Sequence, residues 1–221
     1  MSLGHGASIV RDGLVLHLDA ANRKSYPGSG TNWNDLSGVG NNGTLVNGVG
    51  YSASNNGIMT LDGVNDYVSS NYMPPNGTNP RTISVWFNPT TSQSKNLLGY
   101  GSGASKQMWD ILLLNDNTVG VHLYGSGAEA PAPYQVGIWQ NIVFTYTYPS
   151  ITSFMNGVQY NTYSDVGINT GVSNSLRISI GVYSQYNNYS GLISNVSIYN
   201  RALTATEIQQ NFEATRGRYG I

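Results

Sequence analysis

Cysteine is absent from the 221-residue chain, and charged residues make up only 10% of it. The missing thiols exclude disulfides, cysteine nucleophiles and cysteine-ligated zinc. The 10 Lys and Arg residues offset 11 Asp and Glu, which gives a net charge of −1. The chain therefore lacks the basic surplus that neutralises nucleic-acid phosphates. No apolar run reaches the roughly 20 residues that a membrane-spanning helix needs.

Neutral polar residues are abundant instead. The chain holds 27 Gly, 16 Tyr, 26 Asn and 25 Ser. Hydrophobic residues still make up 39% of the sequence, which is enough apolar surface for a core and argues against disorder. The length fits a single all-β domain. A surface rich in hydroxyls and amides favours carbohydrate binding or assembly with other proteins over acid–base catalysis.

If Met1 is the native start, we expect no secretion signal, because no cationic segment precedes an apolar stretch of about 7–15 residues. We therefore expect the protein to be made in the cytoplasm of its host cell. The sequence divides into an N-terminal arm (1–12), one domain (13–216) and a C-terminal tail (217–221). Gly4 and Gly6 make the arm flexible, so it is either a frayed terminus or a segment that docks on a partner.

Most of the chain has the pattern of short strands joined by tight turns, with repeated Asn-Gly and Asp-Gly pairs that favour type I′ turns. Alternating apolar residues, as in 14–18 and 83–87, predict strands with one buried face. The apolar run 111–114 predicts a strand covered on both faces. Asn156-Gly157 predicts a hairpin over 150–163. About a dozen such strands predict an all-β, two-sheet antiparallel sandwich.

One short helix is predicted near the C-terminus. Thr204 and Glu207 have the spacing of a capping box, and Ile208 with Phe212 makes an apolar stripe. We expect a helix over about 205–215 that packs on one side and stops near Gly217. The tail that follows contains Arg and Tyr and is either a solvated end or an interface anchor.

Four segments resemble, in order, the motifs of concanavalin A-like, laminin G-type jelly-roll domains. They are Leu61–Val68 (LDGVNDYV), Thr82–Phe87 (TISVWF), Trp139–Tyr146 with Met155–Val158 (WQNIVFTY and MNGV), and Gly191–Ile208 (GLISNVSIYNRALTATEI). The resemblance covers about residues 14–212. It implies a two-sheet antiparallel jelly-roll sandwich of lectin/glucanase type with one short C-terminal helix.

The front segment 13–38 and the ending Gly217–Ile221 look like a subgroup found in virion proteins of tailed phages. This resemblance implies a non-enzymatic module on the virion surface, a capsid decoration, knob or fibre component, with weak glycan binding for host attachment. Its partners would be other virion proteins and host or environmental polysaccharide, and it would be a homo-oligomer or part of an assembly. The fold also admits a dedicated lectin and, as a remote alternative, a glycoside hydrolase.

A hydrolase is disfavoured because acidic residues are few and scattered. Glycosidases use two carboxylates that flank the scissile bond, and the glucanases that this fold resembles place theirs at E-x-D-x-x-E spacing, which is absent here. Asp110 lies alone in its strand, and no activating motif accompanies the histidines. The Glu and His residues that could take part in acid–base chemistry are Glu129, Glu207, Glu213, His5, His17 and His122. Of these, His17 and His122 are expected to be structural. We predict no enzyme activity.

Calcium is the one cofactor that the sequence leaves open. The ion takes about six to eight oxygen ligands, and Asp62, Asn65 and Asp66 lie close enough in sequence to supply some of them. In the other interpretation, Asp62 caps its own turn and Asp66 caps the start of the following strand. Ser194 and Asn195 stand where the resemblance implies acidic residues, so a calcium site here has less charge than in the family.

Glycan binding is predicted at a tyrosine-rich segment and on the concave sheet face, because sugars stack on aromatic rings and hydrogen-bond to planar amides. The candidates in the segment are Tyr183, Gln185, Tyr186, Asn187, Asn188 and Tyr189, and those on the concave face are Trp109, Tyr124 and Tyr134. Two alternatives stay open. Aromatic residues dominate protein cores, and a segment rich in Tyr and Asn equally suits a protein interface.

Overall fold

A computed structural model describes residues 8–92, 94–125, 128–164, 167–182 and 187–221. These residues form seventeen strands, more than the sequence pattern predicted. The first nine are β1 (Leu14–Asp19), β2 (Asn32–Trp33), β3 (Gly43–Val46), β4 (Gly50–Ser52), β5 (Ile58–Asp62), β6 (Tyr67–Ser70), β7 (Arg81–Pro89), β8 (Lys95–Gly101) and β9 (Met108–Leu113). The others are β10 (Thr118–His122), β11 (Ala128–Pro133), β12 (Gln140–Thr147), β13 (Ser150–Met155), β14 (Val158–Tyr163), β15 (Asn174–Ile178), β16 (Asn187–Asn188) and β17 (Ser190–Tyr199).

The strands form two packed sheets. Sheet A has the order β14-β13-β12-β7-β17-β5-β4, with β1 also paired to β17. Sheet B has the order β11-β10-β9-β8-β15-β6-β3-β2, with β16 also paired to β8. The ladders along both paths are antiparallel, and the short β16–β8 pair is parallel. The predicted all-β sandwich of jelly-roll type is confirmed.

The main core lies between the sheets and is built from alternate residues of each strand. Val85 and Phe87 of β7 and Trp109 and Ile111 of β9 are all fully buried. Burial of such side chains is the largest favourable contribution to folding, at about 1.5–3 kcal/mol each. Every residue of β9 is buried, which agrees with the prediction of a strand covered on both faces.

The predicted hairpin is present as β13 and β14. Asn156 and Gly157 connect the strands with φ values of 52° and 80°. Both are in the left-handed region that a type I′ turn requires and that Asn and Gly tolerate best. The dipeptide therefore sets the strand connection locally, without help from distant residues.

Helix α1 (Ala205–Thr215) begins where the sequence predicted. The Thr204 hydroxyl accepts from the Glu207 N–H at 3.3 Å, and Glu207 Oε2 accepts from the Thr204 N–H at 2.9 Å. The chain continues as a 3₁₀ turn over Arg216–Tyr219 and leaves it at Gly220, whose φ is 72°. The α-helix itself ends at Thr215, as the sequence predicted, and only the 3₁₀ turn continues past Gly217. None of the described helices has the length and hydropathy of a membrane span.

The C-terminal tail packs on the outer face of sheet A, which corrects the expectation of a solvated end. The Tyr219 ring stacks on Trp86 with centroids 4.1 Å apart and lies 4.8 Å from the ring of Trp139. Arg218 Nη1 contacts both carboxylate oxygens of Asp19 at 2.7 and 2.9 Å. The tail is therefore part of the domain that it closes.

The described part of the N-terminal arm also packs on this face. The Val10 N–H donates to Asn211 Oδ1 at 2.8 Å, and Gln210 Nε2 donates to the Ser8 carbonyl at 2.7 Å. Ile9 and Val10 contact the apolar cluster beneath α1. The flexible segment that was predicted from Gly4 and Gly6 lies outside the described residues.

Candidate functional site

Three of the aromatic residues predicted to contact glycan lie in the core instead. Trp109 and Tyr189 are 0% exposed and Tyr134 is 3% exposed. The Tyr134 hydroxyl donates to the Leu114 carbonyl at 3.1 Å, and the Tyr189 hydroxyl donates to the Leu192 carbonyl at 3.2 Å. Burial raises the pKa of Tyr134 to about 12. None of the three presents a ring face to a sugar, so their predicted role is wrong.

A buried arginine explains the position of Trp109. The Arg81 side chain is 0% exposed, and its guanidinium carbon lies 5.2 Å from the Trp109 ring centroid and 5.0 Å from that of Tyr146. Arg81 also donates to the Tyr100 hydroxyl at 3.0 Å and to the Thr170 hydroxyl at 2.9 Å. These aromatic faces stabilise a desolvated cation, which is the function of Trp109 in this fold.

The other glycan candidates are mostly not placed. Tyr183, Gln185 and Tyr186 lie outside the described residues, as does the side chain of Asn187, although its backbone forms β16 with Asn188. Tyr124 is half-buried in a turn with a φ of 58°. Glycan binding by the tyrosine-rich segment stays a prediction.

The calcium candidates form a tight turn between β5 and β6. Asp62 Oδ1 accepts from the backbone N–H of Val64 at 2.8 Å and of Asn65 at 3.3 Å. Asp66 Oδ2 accepts from the Asp62 N–H at 3.2 Å. Both carboxylates thus hold the turn together, as the alternative interpretation expected. They also line a cleft of about 350 Å³ together with Thr60 and Asn47.

The two aspartates differ in pKa for local reasons. The Val64 N–H bond lowers the pKa of exposed Asp62, whereas burial raises the pKa of Asp66 and the charge of Asp62 adds to the increase. Among the described residues, no three Asp, Glu or His side chains come together as a metal-binding group. Two carboxylates already engaged by peptide N–H groups are a small share of the oxygens that calcium takes, so the donor set fits the ion only weakly.

The buried histidine of β1 lies in a hydrogen-bonded network on the outer face of sheet A. His17 Nδ1 is 2.9 Å from Ser197 Oγ, which itself donates to Asn195 Oδ1 at 3.1 Å. Ser197 therefore accepts from His17. Burial lowers the pKa of His17, although the charge of Asp19 opposes this. The contacts match the structural histidine that the sequence predicted.

A second buried polar pair lies on the other sheet. His122 and Asp110 are cross-strand partners in β10 and β9, and both oxygens of Asp110 accept from the Val182 N–H at 3.1 Å. A Cβ on Gly99 or Gly181 would approach these oxygens to 2.1 and 2.2 Å. The Asp110 carboxylate thus positions the segment after β15 by binding the backbone N–H of Val182.

An open cleft that the sequence did not predict lies on the outer face of sheet B, at its β2–β3–β6 end. It encloses about 410 Å³, and its lining consists of Asn, Ser, Thr, Gly and one Tyr, with no charged residue. Asn32, Thr44 and Ser69 form a row across the three strands, because Asn32 pairs with Thr44 and Thr44 pairs with Ser69. Tyr72, which is half-buried and packs against the core, is its one aromatic lining residue. We call this site the amide cleft.

Four groups of the amide cleft make no side-chain hydrogen bond to the described residues. They are the amides of Asn32 and Asn71 and the hydroxyls of Thr44 and Ser69. Thr44, Asn32 and Asn71 are also exposed. Within the part of the chain that the structure describes, these donors and acceptors are therefore available to a ligand.

Asp35 holds the loop that forms one wall of the amide cleft. Its Oδ2 accepts from the N–H groups of Gly40 and Asn41 at 3.1 and 3.0 Å, and its own N–H donates to Asn42 Oδ1 at 2.9 Å. Burial raises the pKa of Asp35, but hydrogen bonds from Ser37 and the backbone outweigh it and lower the pKa below its ordinary value. The carboxylate is therefore ionised when it positions this wall.

Part of the amide cleft could be predicted from the alternation of polar and apolar residues in β3 and β6. Thr44 and Ser69 are the polar members of alternating strands, whose neighbours Leu45 and Val68 are buried in the core. This pattern places the two side chains on an outer face. What the pattern does not reveal is that β3 and β6 are adjacent.

Comparison with family models gives a match over most of the domain. The model described as the concanavalin A-like lectin/glucanases superfamily covers residues 62–209, which contain three of the resemblance motifs in full and all but one residue of the first. Comparison with the curated proteins finds no significant match.

Several solved structures are similar in fold. The binding domain of Paraclostridial Mosquitocidal Protein 1 aligns with a TM-score of 0.69 and 18% identity, over 91% of this chain and 52% of that one. The binding domain of botulinum neurotoxin DC, solved with rat synaptotagmin II, aligns with a TM-score of 0.70 and 15% identity, over 93% and 52%. This chain thus spans about half the length of either toxin domain.

A third similar structure is matched over nearly its whole length. Domain 4 of AbnA, an extracellular arabinanase of Geobacillus stearothermophilus solved with arabinotriose, aligns with a TM-score of 0.65 and 16% identity, over 91% of this chain and 98% of that one. Identities this low establish a shared sandwich fold, and function has to be argued from the site.

Proposed function

The chain belongs to the concanavalin A-like lectin/glucanases superfamily, and we propose that it is a non-catalytic binding module that holds an uncharged polysaccharide in the amide cleft. The observation that carries this proposal is the set of four neutral groups at Asn32, Thr44, Ser69 and Asn71 that bond to nothing else in the described chain. Their chemistry matches a sugar, whose hydroxyl groups both donate and accept hydrogen bonds.

The geometry of the amide cleft favours an extended ligand. Neighbouring strands lie about 4.8 Å apart, so the row from Asn32 through Thr44 to Ser69 spans about 10 Å. A chain with repeating hydroxyls meets these groups in succession. An anionic or cationic polysaccharide would bring charge to a lining that holds no counter-charge, and desolvating that charge is costly.

The similar structures support a binding role of this kind. The arabinanase domain is in complex with arabinotriose, a neutral saccharide. The toxin binding domain in complex with synaptotagmin supports a protein ligand as the alternative. We favour the saccharide because the cleft is lined almost entirely by polar groups, whereas the centre of a protein interface is typically apolar and aromatic.

We further propose that the module is made in the host cytoplasm and is displayed on a virion surface, where it is bound to other virion proteins. Support comes from the two segments that resemble tailed-phage virion proteins. Residues 13–38 and 217–221 meet through the ion pair of Asp19 with Arg218 at 2.7 Å, so they act as one structural unit. Immunogold labelling of purified particles tests this location, and particles without label would contradict it.

The glycan proposal is tested by affinity electrophoresis in neutral and anionic polysaccharides. We expect retardation by one or more neutral polymers only. Asn71→Ala and Thr44→Val each remove one neutral hydrogen bond, which is worth about 0.5–1.5 kcal/mol, so each is expected to weaken binding about three- to tenfold. Asn115→Ala, in the exposed β9–β10 turn, is the matched control. Unchanged binding in the Asn71→Ala/Thr44→Val double variant would exclude the cleft.

The same assay tests the remaining sequence predictions. Tyr186→Ala reports on the tyrosine-rich segment. Comparing millimolar calcium with EDTA, in the native protein and in Asp66→Asn, tests whether a weak calcium site supports binding. Release of reducing ends from a bound polysaccharide, abolished in Asp66→Asn, would identify a hydrolase and overturn the non-catalytic proposal.

A further inference from the structure

Strand β14 is unusual among the long strands because all six of its residues are exposed. It ends sheet A and pairs with β13 on one side only. Val158 is 65% exposed, Tyr160 is 58% exposed and Tyr163 is 46% exposed. β11 of sheet B approaches its inner face, where Asn161 Nδ2 is 3.5 Å from the Pro131 carbonyl. The outer edge of β14 has no partner in the described chain.

The other sheet ends carry features that prevent further pairing. β11 ends sheet B and has the sequence AEAPAP, in which two prolines lack N–H donors and Glu129 adds charge. β4 and β2 contain three and two residues, too few for a stable ladder. β14 has the sequence VQYNTY, with neither proline nor charge. Of the four strands that end the two main strand paths, β14 alone lacks such protection.

We propose that β14 pairs antiparallel with β14 of a second copy of this chain, so that sheet A continues across a two-fold axis. Residue pairs in an antiparallel ladder alternate between a hydrogen-bonded and a non-hydrogen-bonded type. Both residues of a pair are of the same type, so a two-fold axis between two copies of one strand places one residue opposite its own counterpart. A bulge leaves Tyr160 without a partner in β13, whereas 161–163 pair regularly. The axis therefore passes at Thr162, and Asn161 faces Tyr163 of the second copy.

The occupant is a second copy because β14 is complementary to itself. The proposed register places Thr opposite Thr and Asn opposite Tyr, which are favourable or neutral cross-strand pairs. No like charges meet, and a net charge of −1 per chain gives little long-range repulsion. The exposed tyrosines gain contact area in the same step. A strand from a different protein would leave the native chain monomeric and is distinguished by the first test.

Sedimentation velocity of the native chain over about 1–200 μM is the first test, and we expect a concentration-dependent dimer. Thr162→Lys places two like charges directly opposite each other at the axis, so it should raise the dimer dissociation constant at least tenfold. Thr152→Lys is the matched control, because Thr152 is the partner of Thr162 within the chain, at 3.0 Å between hydroxyls, but lies one strand further from the axis. It should change the constant less than threefold.

Single cysteines provide the second test, since the native chain has none. Residues paired at the axis have Cα atoms about 4.5–5.5 Å apart, within the range that a disulfide bridges. Thr162→Cys should therefore form a disulfide-linked dimer under mild oxidation. Val158→Cys lies on the same strand and is more exposed, but its copies would be about 26 Å apart at 3.3 Å per residue, so it should cross-link at least tenfold more slowly.

Three results would overturn the proposal. The first is a native chain that stays monomeric at 200 μM. The second is a dimer that Thr162→Lys leaves unchanged, which would locate the contact elsewhere. The third is equal cross-linking of the two cysteine variants. Circular dichroism of each variant verifies that a negative result does not come from unfolding.

Discussion

The outer faces of the two sheets differ in how far other parts of the chain cover them. The outer face of sheet A around β1, β7 and β17 is covered by α1, the C-terminal tail and residues 8–12, and buried polar groups there bond within the chain, as His17 does to Ser197 and Trp86 to Thr215. The outer face of sheet B at the β2–β3–β6 end is open, and four of its polar groups bond to nothing in the described chain. The difference separates residues that close the fold from residues that are available for recognition.

The chemistry of the two faces differs in the same way. On sheet A, Trp86 stacks on Phe212 with centroids 5.7 Å apart and on Tyr219 at 4.1 Å. On sheet B, the amide cleft contains a single aromatic ring, that of Tyr72. Aromatic residues in this protein therefore mainly close and fill the fold, and small amides and hydroxyls form the candidate site.

The largest expected effect is on the closed face. Trp86 is 2% exposed, and its Nε1 donates to the Thr215 hydroxyl at 3.0 Å. Trp86→Ala should lower the free energy of unfolding by about 3–5 kcal/mol, as measured by urea denaturation. Val64→Ala, at a residue that is 77% exposed, is the control and should change it by less than about 0.5 kcal/mol. Similar values for both variants would refute the closed-face description.

The ion pair of the C-terminal tail is expected to give the next largest effect on the free energy of unfolding. Asp19 is 3% exposed, and Arg218→Ala removes its cation, so unfolding free energy should fall by about 1–3 kcal/mol. The double variant Asp19→Asn/Arg218→Ala also removes the buried charge and should therefore recover part of the lost unfolding free energy. A double-mutant cycle with no coupling energy would show that this ion pair does not stabilise the docked tail.

The sequence revealed those parts of the closed face that local signals determine. The capping box lies within four residues, so its pattern predicted the start of α1 correctly. The hairpin turn at Asn156-Gly157 is equally local. The docking of the tail was not predictable, because Arg218 and Asp19 are 199 positions apart. Such a contact depends on the packed sheets and leaves no periodic signal.

The candidate site was predicted less well for a related reason. Trp109 and Asp110 are neighbours in a strand that is buried on both faces, so alternation does not show which of them faces the core. The sequence reasoning placed Trp109 on the concave face, and the structure places it against Arg81. The amide cleft, in contrast, is assembled from three separate strands within 32–70, and only their pairing brings Asn32 and Ser69 together.

A smaller effect is expected at the helix cap. The Thr204 hydroxyl satisfies the otherwise unpaired Glu207 N–H at 3.3 Å. Thr204→Ala should lower the free energy of unfolding by about 1 kcal/mol, while Thr204→Ser retains the hydroxyl and should lower it much less. Thermal unfolding measures both. An unchanged melting temperature in Thr204→Ala would mean that packing of α1, and not its cap, fixes the start of the helix.

The smallest expected effect is a difference in acid response. Hydrogen bonds from Arg201, followed by the Thr204 N–H, lower the pKa of Glu207 from 4.5 to about 2. A depressed pKa in the folded state means that the contribution is present above about pH 4.5 and is lost as the pH falls towards 2. For a solvent-accessible pair it amounts to a few tenths of a kcal/mol. Glu207→Gln retains the capping geometry and should flatten the stability profile in this window.

The same acid titration should act on the open face through a different carboxylate. Because the pKa of Asp35 is also lowered in the folded protein, its hydrogen bonds to the cleft wall should persist above its ordinary pKa of 3.8 and weaken below it. Polysaccharide binding by the native chain should therefore fall at acid pH, and Asp35→Asn should bind more weakly at neutral pH with a flatter profile. If Glu207→Gln changed binding as much as Asp35→Asn does, the two faces would be coupled, and the separation between closing residues and recognising residues would fail.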